Sequence, residues 1–117
     1  MSRGQGHWAE TVALEHLEAQ GLTLIERNYS CRRGELDLIC LDGSVMAFVE
    51  VRYRRRGALV DAIDSIGDSK ICKIRTTAVH FLTTHAQHAE RVCRFDVVTV
   101  SGPGNAPSVD WIKDAFE

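Results

Sequence analysis

Two carboxylates stand where the surrounding sequence asks for apolar residues. Glu50 lies inside Phe48-Val49-Glu50-Val51, a run that reads as a strand buried on both faces. A charge there is costly unless it is paired, hydrogen-bonded or bound to a cation. Asp37 repeats the pattern among Leu36, Leu38 and Ile39. Between them, Asp42-Gly43 is a hairpin signal. Counting outward from residues 43 and 44 sets Asp37 opposite Glu50, to within a residue or two. Facing carboxylates roughly 5 Å apart repel each other. A divalent cation between them turns that repulsion into binding, and two hard oxygen ligands with further positions open suit Mg²⁺, or Mn²⁺ in its place. Such an ion can polarise a phosphate and activate water. The competing reading of Glu50 is a buried ion pair with a nearby arginine.

Further side chains gather around this pair. Glu10 shares a helical stripe with Ala13, Leu14 and Leu17, so it extends an inward face and is a third candidate metal ligand. Equally, a first-turn glutamate suits the helix dipole. Arg52 follows Glu50 by two residues and shares its strand face. It is suited to hold a phosphate bidentately, and it cannot act as a general base because arginine stays protonated. Lys70, near the start of a later helix, is an additional cation or a solvated helix lysine. Glu35 is a weaker ligand candidate, on the strand face assigned to Asp37. Asp96, in another apolar strand, is expected to pair with an arginine at the core edge. His85 and His88 have i, i+3 spacing but lack a third ligand nearby, and Trp8, Phe81, Trp111 and Phe116 read as packing residues.

These groups need elements to position them. Apolar periodicity predicts a helix over residues 7–20, closed by Gly21. Strands follow at 22–28, 35–41 and 45–53, with a turn at Arg32-Arg33-Gly34. Residues 59–66 read as a short helix or a loop. A second long helix spans 69–84, with Ser69 as its N-cap. Residues 85–90 form a loop, 92–100 a strand, and 108–115 a short edge strand or turn. Hairpin neighbours pair antiparallel, whereas the helical crossover from the third strand to the fourth suits a parallel, right-handed connection. The expected fold class is α/β, a mixed sheet flanked by helices in the order α-β-β-β-α-β.

The chain has 117 residues, 44% hydrophobic and 26% charged, which is enough for one ordinary core and a single domain over 1–117. No stretch reaches the length of a membrane helix, and the polar start lacks a signal-peptide apolar region, so a cytoplasmic protein is expected. The cysteines at 31, 40, 72 and 93 include no CxxC pair, which argues against a zinc ribbon and for reduced thiols. Net charge is −2, yet between Arg27 and Arg56 seven basic residues stand against four acids, two of them the ligand candidates. A local basic field attracts phosphate whatever the total charge. Arg32, Arg33, Arg54, Arg55, Arg56 and Lys70 are the candidate nucleic-acid contacts.

The segments Gly34-Glu35-Leu36-Asp37-Leu38-Ile39 and Phe48-Val49-Glu50-Val51-Arg52-Tyr53-Arg54 resemble those of the YraN family of bacterial proteins. Gly21 through Asn28, Lys70, Arg94-Phe95-Asp96-Val97-Val98 and Trp111 through Phe116 extend the resemblance over nearly the whole chain. That family is similar to Holliday-junction resolvases and to nucleases with the restriction-endonuclease-like fold and PD-(D/E)xK motif. The resemblance implies that Asp37 is the motif aspartate, Glu50 its second acid and Glu10 the helix glutamate of the resolvase-like branch. Arg52 stands where the motif has lysine. The implied function is a metal-dependent DNA endonuclease, acting on branched or structured DNA; a symmetric junction would call for a homodimer. A non-catalytic nucleic-acid-binding module and a structural or interaction domain are the alternatives.

Overall fold

A computed structural model describes residues 3–54, 63–102 and 105–117. Helix α1 (Arg3–Ala19) leads into strands β1 (Thr23–Cys31), β2 (Gly34–Asp42) and β3 (Val45–Arg54). Helix α2 (Asp68–Thr84) and a 3₁₀ turn (Ala86–His88) precede β4 (Cys93–Ser101) and β5 (Ser108–Phe116). The five strands form one mixed sheet in the order β1-β2-β3-β4-β5. All neighbours are antiparallel except β3 and β4, which are parallel and joined through α2. The predicted class and element order are therefore those of the folded chain.

The helices cover opposite faces of the sheet. Ala9, Ala13 and Leu17 of α1 pack with Leu38, Cys40, Ala47, Val49, Val51, Val98 and Val100. Ile74, Ala78 and Phe81 of α2 pack with Leu36, Ile39, Met46 and Phe48. Alternate residues of β3 thus enter alternate cores, and residues 46–51 are buried on both sides. Helix α1 begins four residues before the predicted start. Helix α2 is capped by Gly67 in extended conformation, with no side-chain cap bond, so Ser69 is a first-turn residue rather than the cap. The expected loop at 85–90 contains the 3₁₀ turn, with His88 buried and stacked on Phe81. Of the segment expected as a short helix or loop, residues 59–62 lie outside the described residues, and Ile63–Ile66 is closed by an Ile66 N–H to Ile63 carbonyl bond.

The expected short element at the end is a nine-residue strand. A buried polar hub ties β5 to the sheet. Asp96, fully buried, accepts from Arg94 Nε at 2.9 Å, Trp111 Nε1 at 3.1 Å and the Asp114 amide at 3.0 Å. Arg94 also donates to Asp42 at 2.9 Å, which links β4 to the β2–β3 hairpin. Asp96 has the arginine partner expected of it, and its carboxylate is satisfied on every side.

Candidate active site

The β2–β3 hairpin turns on Gly43 and Ser44, with Asp42 paired to Val45 and Gly43 at φ 63. That register places Leu38 opposite Val49, so the next position outward brings Asp37 to Glu50, as the count from the turn predicts. Ladder pairing stops there. Beyond it, β2 stays on β1 as far as Gly34↔Cys31, and β3 stays on β4 as far as Arg54↔Ser101. The sheet therefore forks at the two acids. At the fork the Val51 amide donates to Asp37 Oδ2 at 2.8 Å, so a carboxylate takes the place of a ladder acceptor.

A second irregularity coincides with the first. Arg27 pairs with Leu38 and Tyr29 with Leu36, which leaves Asn28 opposite Asp37. Asn28 has φ 58, a left-handed conformation that asparagine tolerates better than most residues. Leu36 and Leu38, two apart on one strand, enter different cores. Strand alternation is therefore interrupted at Asp37, and the face shared by Glu35 and Asp37 in a regular strand does not carry through. Glu35 is exposed, on the lining of two clefts. Arg27 and Asn28 carry structure that the sequence pattern does not flag; the positive φ of an asparagine inside a strand has no periodic signature.

Glu50 is 5% exposed and projects toward α2, where Lys70 Nζ lies 3.5 Å from its Oε2. That oxygen is buried without a hydrogen-bond partner among the described residues. Burial, then the hydrogen bond and charge of Glu50, push the Asp37 carboxyl up to about 8, against the opposing pull of the Val51 amide and Lys70. A divalent cation would compete with the proton that this crowding favours, and the buried Glu50 Oε2 accepts no hydrogen bond among the described residues, with the Lys70 ammonium 3.5 Å away. The donor set fits Mg²⁺ or Mn²⁺.

Glu10 is half-buried and bound to Arg27, whose Nε lies 3.3 Å from its Oε1. Arg27 also donates to the His7 carbonyl and to Thr11 Oγ1, which fastens α1 to β1. The Glu10 carboxyl is raised by burial first and then by the charge of Asp37. It lies in the electrostatic field of the pair while its own partner is Arg27. Among the described residues no three His, Cys, Asp or Glu side chains form a metal-holding group; the acids brought together are two.

Arg52 shares the Glu50 face, and its guanidinium donates to the Ser65 carbonyl at 3.3 Å. Arg32 and Arg33 sit exposed on the β1–β2 turn. With Lys70 and Lys73 they line a cleft of about 590 Å³. A neighbouring cleft of about 770 Å³ is lined by Glu10, Asn28 and Glu35 with His7. The two meet at Glu35. Lys73 is not singled out by the sequence pattern, although its spacing from Lys70 puts both on adjacent helix turns. Arg54 ends β3, and Arg55 and Arg56 lie outside the described residues. His85 stacks on Phe81 at 3.9 Å between ring centroids, so it and His88 belong to packing.

An α/β sheet forked at an acid pair, with helices on both faces and a cation-lined cleft beside the fork, is the class that fold and site define. The model of the uncharacterised protein family UPF0102 matches residues 9–100, and the chain belongs to that family, the kinship anticipated from the motifs of residues 34–54. It is 49% identical over 116 residues to a UPF0102 protein of Stutzerimonas stutzeri (strain A1501), covering 99% of this chain and 97% of that protein. Similar relatives include UPF0102 proteins of Pseudomonas aeruginosa (strain LESB58), 48% identical over 99% of this chain and 94% of that protein, and of Nitrosococcus oceani, 44% identical over 97% and 92%.

Proposed function

We propose that this chain is a divalent-metal-dependent DNA endonuclease working as a single domain, with branched or structured DNA as its preferred substrate. The observation that carries the reading is the fork: Asp37 and Glu50 meet where β2 and β3 part, with a buried oxygen that accepts no hydrogen bond among the described residues and cations beside them. Asp37 and Glu50 would hold Mg²⁺ or Mn²⁺, and Glu10 would assist from the edge of the site. The bound ion supplies Lewis acidity toward a phosphodiester. The chain's own groups do the rest. The Val51 amide fixes the Asp37 carboxylate, Arg52 steadies a phosphate, and Arg32, Arg33 and the arginines at 54–56 grip the backbone through sequence-independent, salt-sensitive contacts. Cutting both strands of a symmetric junction calls for two such sites and hence a homodimer. A DNA substrate sets this work in the cytoplasm. Among the described residues no helix is long and apolar enough to cross a membrane.

A non-catalytic DNA-binding module is the second reading, favoured by one observation: the Arg52 guanidinium stands in the motif's lysine place and already donates to Ser65. Labelled duplex, single-stranded and four-way-junction DNA incubated with Mg²⁺ or Mn²⁺ separates the two. Metal-dependent cutting by the wild type, lost by at least about 100-fold in Asp37→Ala and Glu50→Ala, is the expected result. Binding that survives chelation without any cutting favours the module, and equal cutting by both variants removes the site.

A further inference from the structure

The strand position that carries lysine in the PD-(D/E)xK motif holds Arg52, and the arginine is engaged with the Ser65 carbonyl. A lysine reaches the same acids from another element. Lys70 Nζ lies 3.5 Å from Glu50 Oε2, the buried oxygen without a hydrogen-bond partner. The Lys70 side chain is 44% exposed, so its ammonium spans from the buried acid to solvent and to the cleft it lines with Arg32, Arg33 and Lys73. Its location runs against local preference. Lys70 is the third residue of α2, and a cation in the first turn opposes the helix dipole. The buried Glu50 carboxylate draws the ammonium inward against that preference and holds it at the acid pair.

We propose that Lys70, delivered by α2, is the positioning residue that replaces the strand lysine of the acid pair. One N–H of the ammonium addresses Glu50, and two remain to donate to a phosphate oxygen or a water at the fork. Arg52 is left the separate task of steadying the DNA. The assignment rests on the nuclease reading and deepens it by naming the cation of the site.

The test compares full-length wild type, Lys70→Met and Lys70→Arg for steady-state cutting of duplex and junction DNA, for Mn²⁺ affinity and for Tm. The expected result is a loss of at least about 100-fold in kcat for Lys70→Met, with KM within about threefold. Mn²⁺ binding is expected to be unchanged or tighter, because a cation beside Glu50 has been removed. Lys70→Arg, which keeps the charge, is expected to exceed Lys70→Met by at least about tenfold. A raised KM with kcat held makes Lys70 a backbone grip and overturns the proposal. So does a loss of cutting that follows a loss of Mn²⁺ binding or a collapse of Tm common to both variants. Cutting at equal rates by wild type and Lys70→Met sinks this assignment alone, whereas no cutting by the wild type sinks the nuclease reading and this assignment with it.

Discussion

The raised Asp37 carboxyl, at about 8 through burial and Glu50, fixes the sign of two titrations. The folded state binds this proton more tightly than the unfolded chain, so its stabilising effect is complete below the ordinary aspartate pKa of 3.8 and is lost as pH rises toward 8. Tm of the metal-free protein should fall across that window. Asp37→Asn, which keeps the hydrogen-bonding shape without the charge, should flatten the fall and be the more stable protein at pH 8, by a few degrees on a thermal melt. On the proposed site, Mn²⁺ affinity should climb with pH toward 8, with proton release visible as a buffer-dependent heat in calorimetry. These acids were legible in the sequence because a carboxylate in an apolar strand has few inexpensive explanations and the hairpin turn set the register. Lys70 was legible only as a charge near a helix start; its encounter with Glu50 depends on how α2 lies across the sheet, which no local pattern encodes.

The elements are held to one another by a few close contacts, and each predicts a cost. A Cβ added to Gly34 would lie 3.0 Å from Thr77 Oγ1 and 3.3 Å from Lys73 Cβ, so Gly34→Val should force the β1–β2 turn away from α2 and destabilise by about 1–3 kcal/mol. Hydrogen exchange in the first half of α2 should rise. Asp96→Ala leaves Arg94 half-paired and orphans the Trp111 and Asp114 donors. Its expected cost is about 3–5 kcal/mol, read by denaturant melts, with β5 amides exchanging first. The sequence predicted the Asp96–Arg partnership but only a short tail element. Strand β5 is anchored by the polar hub as well as by apolar packing, and its charged residues Asp110, Lys113 and Asp114 hid the strand from a hydrophobic pattern. Strand β1 runs on through the left-handed Asn28 to Cys31, three residues past the predicted stop.

At the scale of the molecule, a chain of net charge −2 presents Arg32, Arg33, Lys70 and Lys73 around one cleft. On the proposed function, DNA affinity should therefore fall steeply with salt. Replacing Arg32 and Arg33 together by alanine should reduce the log–log slope by roughly 0.9 for each phosphate that is no longer neutralised. Charge distribution was readable from sequence over residues 27–56, whereas the contribution of α2 to the same cleft needed the crossover. That crossover also orders events in time. Strands β2 and β3, which carry Asp37 and Glu50, are joined by a two-residue turn, a closure of the kind that hairpins complete in roughly 1–10 μs. The parallel β3–β4 pair, and the docking of α2 that accompanies it, close longer stretches of chain and are expected to lag behind. Two like charges therefore meet before the ammonium of Lys70 arrives to offset them. On the proposed site, a divalent cation present during refolding screens that early encounter. It should steepen the approach to the native state as well as deepen its final well, so that the folding limb of a chevron shifts with Mn²⁺ in wild type and stands still in Glu50→Gln.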